Sequence, residues 1–284
     1  MRTWVRSEGS ATMSSKPHPL SSWRKLALST WSRPSDPSVY GWLEVDVSQA
    51  LTYLQALEEE YGVKVTLTHL VGKALALALV DCPEVNALVR GSHIVLRESI
   101  DVFFQVAYER GQNLSGATIR AADRKPVVQI ARELRERAAA IRSHQQHDLA
   151  RADTGLSRVP AVLRSLVLRA VETASYDWNW DLSRFGVPRD AFGSAMVTNV
   201  GVFGLPHGFA PLVPFSRVPI VLTVGSVRDA PVVVDDAVVV RPVLTIGVTL
   251  DHRVVDGHQA GKLATRFREI VSDPALAGLS SHAT

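Results

Sequence analysis

The sequence predicts a layered α/β or α+β fold, and three observations lead to this prediction. Helix-like and strand-like patterns alternate in the first half of the chain, strand-like patterns dominate after Ser194, and an amphipathic helix pattern covers 257–271. The chain has 284 residues and 46% of them are hydrophobic, which is enough for one large core or two small ones. No interior segment rich in Pro, Gly and Ser interrupts it, so we expect one main domain over 21–284 after a disordered tail over 1–20.

The composition argues against several classes of protein. The formal net charge is +3 and charges of both signs are interleaved, so we expect no nucleic-acid partner. The single cysteine, Cys82, cannot form an intrachain disulfide, which suits a reducing cytoplasm, so we expect a cytoplasmic protein. No apolar stretch reaches the roughly 18 residues needed to span a bilayer, so we expect no membrane-spanning segment.

The first elements follow from periodicity and from residues that end helices. The stretch VYGWLEVDVSQAL (39–51) alternates polar and apolar residues, which predicts a half-buried strand. Leucines at helical spacing predict a helix after it, with Gly62 at the position of a C-cap. The apolar stretch 68–82 predicts a second helix with Thr68 as its N-cap, and Pro83 ends it because proline cannot continue the hydrogen-bond ladder.

The middle of the chain predicts strands, a helix and then an unusual segment. Residues 88–110 contain three strand-like runs, and 127–146 has apolar residues on one helical face. Within the segment 149–190, a further amphipathic helix is predicted over 157–174, and a cluster of aromatic residues follows. This helix either packs on the main body or on another subunit, or lies on a membrane surface. Its polar face has only three arginines, which favours packing.

The last part of the chain predicts a sheet that leads into a helix. Four runs rich in Val, Ile and Thr follow Ser194, and Asp235-Asp236 is a typical hairpin turn between two of them. A buried strand over 244–250 ends at Asp251 and His252. The loop VVDG then turns the chain into the final helix.

His252 is the strongest candidate for a chemical role. It ends a buried strand directly before a glycine-containing turn, where a side chain can project into a cleft, and Asp256 lies four residues further on. A neutral imidazole accepts a proton near pH 7, and a thiol suits it better as the proton donor than an alcohol. From the residues alone, the alternative is a loop histidine that is hydrogen-bonded by Asp251 or Asp256.

Other kinds of site are not indicated. His252 and His258 are six residues apart with Asp256 between them, which matches no standard zinc spacing, so we expect no metal. The phosphate-binding patterns GxGxxG and GxxxxGK[ST] are absent, and so is the GxSxG elbow of serine hydrolases.

Several motifs resemble the catalytic domain of dihydrolipoyl acyltransferases, the core component of 2-oxo acid dehydrogenase complexes. DHRVVDG (251–257) resembles the signature of that family, and chloramphenicol acetyltransferases share its looser HxxxDG form. Four further stretches also resemble segments of this family: KVTLTHLVGKALALALVDCPEVNA, RAADRKPVVQIAREL, MVTNVGVFG and VVVRPVLTIGVTL. Together, the resemblance covers most of 23–145 and 192–275. It implies an α/β (α+β) two-layer sandwich: a mixed β-sheet with helices on one face, as in chloramphenicol acetyltransferase.

The resemblance also implies an acyltransferase mechanism. His252 would be the general base that takes a proton from the thiol of coenzyme A or dihydrolipoamide, and the thiolate would attack an acyl thioester. Thr198, at the Ser/Thr position of the TNVG match, would donate its hydroxyl to the tetrahedral oxyanion. Asp256 would brace the loop and would itself be held by an arginine, for which Arg24 is the candidate.

The same resemblance implies partners. Acyl-coenzyme A would be one substrate, and the lipoyl group would arrive on a separate lipoyl-carrying protein. The chain would form a homotrimer with its active sites between subunits. Whether the trimers build a larger assembly stays open.

Some segments depart from the family pattern. Neither a lipoyl domain nor a peripheral-subunit-binding domain is found in the sequence. The family's RKxIAxRM start has Thr30 at its second arginine, its PPQ stretch becomes FSRVPIVLTVGSV, and its GLITP stretch becomes NLSGATI. Residues 149–190 are an insertion where the family has a short link. These departures concern the acyl acceptor more than the fold.

Three functions are therefore to be distinguished. The first is a thioester acyltransferase of the dihydrolipoyl type, and the second is a coenzyme A-dependent acyltransferase that acts on another small acceptor. The third is a catalytically inactive trimeric scaffold. His252 and Thr198 argue against the scaffold, because a scaffold needs neither residue.

Overall fold

The computed structural model describes residues 36–108, 113–142, 161–183, 187 and 190–276. Contacts within the chain define two units, Met1–Asp36 and Pro37–Thr284. All helices and strands discussed below belong to the second unit. The tail predicted over 1–20 and the arginine candidate Arg24 lie outside the described residues.

A seven-stranded mixed sheet forms the centre of this unit. Six strands lie in the order β1-β9-β7-β6-β4-β5, and β8 pairs with β9 as a hairpin. The β4–β6 and β6–β7 pairs are parallel, and the remaining pairs are antiparallel. The strands of this sheet are β1 (Ser38–Asp46), β4 (Val102–Tyr108), β5 (Asn113–Ile119), β6 (Ala195–Asn199), β7 (Ile220–Val224), β8 (Arg228–Val234) and β9 (Ala237–Asp251). A separate two-stranded hairpin consists of β2 (Ala87–Arg90) and β3 (His93–Leu96).

Five α-helices lie in the described ranges. They are α1 (Ser48–Tyr61), α2 (Leu67–Asp81), α3 (Val127–Arg142), α4 (Ala161–Glu172) and α5 (Gly257–Ser272). Gly62 ends α1 as predicted, in a left-handed conformation with φ of 64°. The predicted N-cap of α2 was wrong: Thr66 occupies that position, and Thr68 lies inside the helix.

Helices α1, α2, α3 and α5 cover one face of the sheet. One continuous apolar cluster joins their inner faces to the strands, and its fully buried members include Leu70, Leu79, Ile130, Ile246 and Ile270. The pattern of apolar residues at helical spacing on α3 and α5 therefore predicted the correct faces. The predicted two-layer sandwich, with a mixed sheet and helices on one face, is confirmed.

A strap over 204–213 crosses the other face of the sheet. The Ala210 N–H donates to Thr223 Oγ1 (3.0 Å), and Thr249 Oγ1 donates to the Ala210 carbonyl (2.7 Å). Gly225 and Gly247 lie directly beneath the strap, where a Cβ atom would collide with its carbonyl oxygens. Both positions thus require glycine because of close backbone approach rather than because of a special dihedral angle.

Helix α4 differs from the other four helices in its exposure. Leu163, Leu166 and Val167, which the periodicity places on one apolar face, are all exposed. This face is therefore not buried against the described part of the chain, so packing on the main body does not account for it. Nor does any helix in the described ranges combine the length and apolar character that crossing a membrane requires.

Candidate active site

The turn after β9 fixes the backbone of His252. The buried carboxylate of Asp251 accepts hydrogen bonds from the backbone N–H of Arg253 (3.0 Å) and from its guanidinium (2.6–3.2 Å). The Asp251 carbonyl accepts from the N–H groups of Val254 and Val255 (both 2.9 Å), and the His252 N–H donates to the Pro37 carbonyl (3.0 Å). The position of His252 is thus set by the main chain and by the Asp251–Arg253 pair.

Asp256 is the N-cap of α5. Its carboxylate accepts hydrogen bonds from the N–H groups of His258 (2.8 Å) and Gln259 (3.3 Å), and the Asp256 N–H donates back to Gln259 Oε1 (3.0 Å). This reciprocal capping box satisfies otherwise unpaired groups, and the negative charge lies at the positive end of the helix dipole. No described arginine pairs with Asp256, and Arg24, the predicted partner, lies outside the described residues.

The His252 ring is exposed and is not used by the local structure. No described residue makes a hydrogen bond or an ion pair with it, because Asp251 is committed to Arg253 and Asp256 to the helix N-terminus. A loop histidine satisfied by either carboxylate, the alternative suggested by the sequence, is therefore not what the structure has. With respect to the described residues, the imidazole is open to a ligand or to another protein surface.

Thr198 lies near the end of β6, at the centre of the sheet, and is 9% exposed. The next residue, Asn199, is fixed by two side-chain hydrogen bonds. Its amide group donates to Thr68 Oγ1 on α2 (2.7 Å), and its Oδ1 accepts from the Val202 N–H (3.2 Å). The Thr198 hydroxyl itself makes no hydrogen bond with a described residue. Asn199 and Thr68 thus position the strand end that carries Thr198.

Sequence reasoning missed this positioning role of Asn199 and Thr68. The TNVG match contained Asn199 and so gave a signal for it. Nothing in the sequence indicated a contact with Thr68, because the two residues are 131 positions apart and meet only where α2 packs on β6.

The structure does not bring His252 and Thr198 of one chain together. Thr198 pairs with Thr223 across β6 and β7, and Thr223 pairs with Gly247 across β7 and β9. His252 follows Gly247 by five residues. At about 3.3 Å per residue, these five residues place His252 about 16 Å beyond Gly247 along the direction of β9. In addition, β6 and β9 are separated by two strand spacings of about 4.8 Å each. Two side chains so far apart cannot act on one carbonyl group within a single chain.

Comparison with known proteins identifies the family. A family model described as "2-oxoacid dehydrogenases acyltransferase (catalytic domain)" matches residues 14–155 and 190–279. The chain belongs to this family. The unmatched interval, 156–189, falls within the segment 149–190 that the sequence indicated as an insertion, and it contains α4.

Individual relatives in this acyltransferase family are distant. The dihydrolipoyllysine-residue acetyltransferase component of the acetoin cleaving system of Bacillus subtilis is 24% identical over 237 residues, which are 82% of this chain and 49% of the relative. The chain spans about half the length of the curated relatives it matches.

Solved structures confirm the fold. A probable dihydrolipoamide acetyltransferase from Listeria monocytogenes aligns with a TM-score of 0.62 at 24% identity, over 90% of this chain and 94% of that chain. Chloramphenicol acetyltransferase aligns with a TM-score of 0.51 at 15% identity, over 83% of this chain and 89% of that chain. The predicted chloramphenicol acetyltransferase-like architecture of this family member is therefore correct. Its described residues contain no group of three or more His, Cys, Asp and Glu side chains arranged to hold a metal ion.

Proposed function

We propose that this chain transfers acyl groups between coenzyme A and the thiol of a dihydrolipoyl group carried by a separate polypeptide. The observation that carries the proposal is the geometry of His252: an exposed imidazole, fixed by its backbone and left without a hydrogen-bond partner among the described residues. Membership of an acyltransferase family supports the reaction class, and the named activities of the relatives support the thiol acceptor.

His252 acts as the general base. Its unprotonated ring nitrogen takes the proton of the acceptor thiol, and the resulting thiolate attacks the carbonyl carbon of the acyl thioester. The tetrahedral intermediate then collapses, the C–S bond to the original carrier breaks, and the leaving thiolate recovers the proton from the imidazolium. No covalent bond to the protein is formed at any point, and general-base assistance of this kind contributes about 10²–10⁴ in rate.

Thr198 stabilises the oxyanion of the tetrahedral intermediate. Its hydroxyl is available, because it makes no hydrogen bond with a described residue, and Asn199 holds the strand end in place. A donor oriented in advance is worth more than a mobile one, because it costs little reorganisation when charge develops on the oxygen. Asp256 has a structural role in this scheme, since its carboxylate is occupied by the N-terminus of α5.

The active site is assembled between chains. The separation of His252 from Thr198 within one chain requires that a second copy supply one of the two residues. Exposed apolar side chains support such contacts, on β1 and the strap and on the β8–β9 hairpin: Tyr40, Trp42, Phe209, Val233, Val238 and Val240. A trimer with three equivalent sites satisfies this requirement, because each chain then gives its histidine to one neighbour and its threonine to the other.

The proposed reaction is tested with purified protein, acetyl-coenzyme A and free dihydrolipoamide. Thioester transfer is expected in the wild type, and His252→Ala is expected to lower its rate about 10²–10⁴-fold. His258→Ala is the matched control, because His258 is an exposed histidine six residues away whose side chain is not part of the mechanism. Light scattering on all three proteins checks that assembly is unchanged.

The other outcomes point elsewhere. Transfer at an equal rate in the wild type and in His252→Ala would exclude the histidine mechanism. Turnover of acetyl-coenzyme A only with an amine or alcohol acceptor would support the second function, a coenzyme A-dependent acyltransferase with a different acceptor. An intact trimer without turnover on any acceptor would support the third function, a catalytically inactive trimeric scaffold.

A further inference from the structure

Gly41 occupies a position on β1 that faces the helices but lacks a side chain. Leu43 and Val45, on the same face of the strand, pack in the apolar cluster between the sheet and the helices. Apart from its chain neighbours, no heavy atom of a described residue lies within 4 Å of the place where a Cβ atom of Gly41 would be, and its φ angle is not positive. In contrast to Gly225 and Gly247, neither a close approach nor a turn requires glycine here.

The space beside Gly41 continues to two small side chains on α5. Ala260 and Ala264 are partly buried, and together with Gly41 they line a slot of about 150 Å³. Strands β1, β7 and β9 form one wall of the slot, and α2 and α5 form the other. All the lining residues belong to the described ranges, and apart from the indole of Trp42 none of them has a polar side-chain atom. The slot therefore offers an apolar surface without a charged group.

The slot is long and narrow. On β9 its lining side chains run from Ile246 to Leu250, which is about 13 Å at about 3.3 Å per residue. On α5 they run from Ala260 to Phe267, which is about 10 Å at about 1.5 Å per residue. Val248, Leu250 and Ala260 are partly exposed, so a ligand that enters from solvent can contact these side chains directly.

A slot of this kind is uncommon in a folded protein. Protein interiors are close-packed, and voids larger than a water molecule are few. Water is poorly accommodated between apolar walls, because an ordered water needs about two to four polar partners. An apolar cavity of about 150 Å³ lined by Leu, Ile and Phe side chains is known to bind benzene, a molecule of six carbons. A hydrocarbon group of this size would fill the slot and remove its walls from water.

We propose that this slot binds an unbranched alkyl chain of about six carbons, whose head group stays in water at the open side. An extended chain matches a long, narrow slot better than a ring does, and each methylene group removed from water strengthens binding about fourfold. Because the walls carry no charge, the head group does not determine the affinity. The proposal does not depend on acyl transfer, so its test is made without catalysis.

The test is calorimetric titration of the whole protein with two probes, 1-hexanol and hexanoate. Both are expected to bind saturably at millimolar concentration, with affinities within about threefold of each other because the slot does not recognise the head group. The shorter 1-butanol should bind about tenfold more weakly, since it lacks two methylene groups. The branched isomer 3,3-dimethyl-1-butanol has as many carbons as 1-hexanol but is wider, and it should also bind about tenfold more weakly.

Variants of both walls test the location. Gly41→Leu places a side chain in the slot, so it should abolish binding of both probes and raise the unfolding temperature of the protein without ligand. Ala264→Leu narrows the slot from the helix side and should weaken binding about tenfold or more. Gly261→Leu is the matched control: Gly261 is exposed on α5 and has open space at its Cβ position, so the same side chain is added outside the slot and probe binding should be unchanged.

Circular dichroism checks that each variant is folded, and light scattering follows the assembly during the titration. The proposal is overturned if neither probe binds, if Gly41→Leu and Ala264→Leu bind as well as the wild type, or if the branched alcohol binds as tightly as 1-hexanol. A fall in the scattering mass as 1-hexanol is added would also overturn it, because the slot would then be occupied by a second copy of the chain.

Discussion

At the scale of single residues, His69 is a partly buried titratable group near the start of α2. The Thr66 N–H donates to His69 Nδ1 (3.0 Å), so this nitrogen must be unprotonated in the folded state. Burial, assisted by the nearby Arg135 guanidinium, lowers the pKa of His69 to about 4. The imidazole is therefore part of the N-terminal cap of α2 only as long as it is neutral.

This residue should make the protein sensitive to acid. Between about pH 6.5 and about pH 4 the unfolded chain carries a proton on His69 and the folded protein does not, so the free energy of unfolding falls as the pH drops. The full effect is about 3 kcal/mol. His69→Gln keeps a side-chain acceptor at this capping position but does not titrate, so its stability should fall less over the same interval.

Urea unfolding at pH 7, 5.5 and 4.5 measures the difference. His93→Gln, which replaces an exposed histidine on β3, should behave like the wild type. An equal pH dependence in His69→Gln and the wild type would show that His69 is not the acid-sensitive group.

Which single residues the sequence could predict depended on whether the signal was local. The sequence correctly placed His252 and Asp256 at the junction between a strand, a glycine turn and a helix, because these elements are adjacent in sequence, and the catalytic role of His252 stays a prediction. The burial of Lys73 was not predicted, because periodicity shows that a helix forms but not how deeply the helix is buried. Lys73 is fully buried, its Nζ donates to the Asp123 carbonyl (2.6 Å), and burial lowers the pKa of Lys73 to about 8.

At the scale of elements, α5 depends on its N-cap residue, Asp256. Asp256 satisfies two backbone N–H groups and places a negative charge at the helix N-terminus. We expect Asp256→Ala to lower the free energy of unfolding by about 1 kcal/mol, and Asp256→Asn to cost less because asparagine is also a good N-cap.

Denaturant unfolding of the two variants checks this expectation. Arg268→Ala is a suitable control, since Arg268 is exposed on the same helix. If Asp256→Ala were as stable as this control, the cap would not contribute to the stability of the helix.

Elements defined by strong periodicity were predicted, and those that depend on tertiary contacts were not. The hairpin turn at Asp235-Asp236 was predicted from residue type, and both residues do adopt positive φ angles, 48° and 61°. The exposure of α4 was not predictable, because an amphipathic pattern shows that a face is apolar but not that anything in the same chain covers it.

At the scale of the whole molecule, the proposed site is a property of the assembly. A mixture of His252→Ala chains and Thr198→Val chains should therefore regain activity, because a boundary between the two kinds of chain pairs an intact histidine with an intact threonine. Every mixed trimer contains one such boundary, and random equal mixing should restore about a quarter of the wild-type rate.

The two variants are unfolded and refolded together, and the transfer rate is compared with that of each variant refolded alone. Mixing already folded variants without exchange of subunits is the control and should restore nothing. A co-refolded mixture no more active than the sum of its parts would contradict the shared site.

The strap over the outer face has a consequence for how this chain can change over time. Main-chain oxygen atoms of the strap occupy the space that a Cβ atom at position 225 or 247 would need. Substitution of either glycine, even by alanine, would therefore displace the strap from the sheet. The constraint comes from the path of the chain and not from any reaction. Descendants that altered their chemistry would still inherit these two glycines for as long as that path was kept.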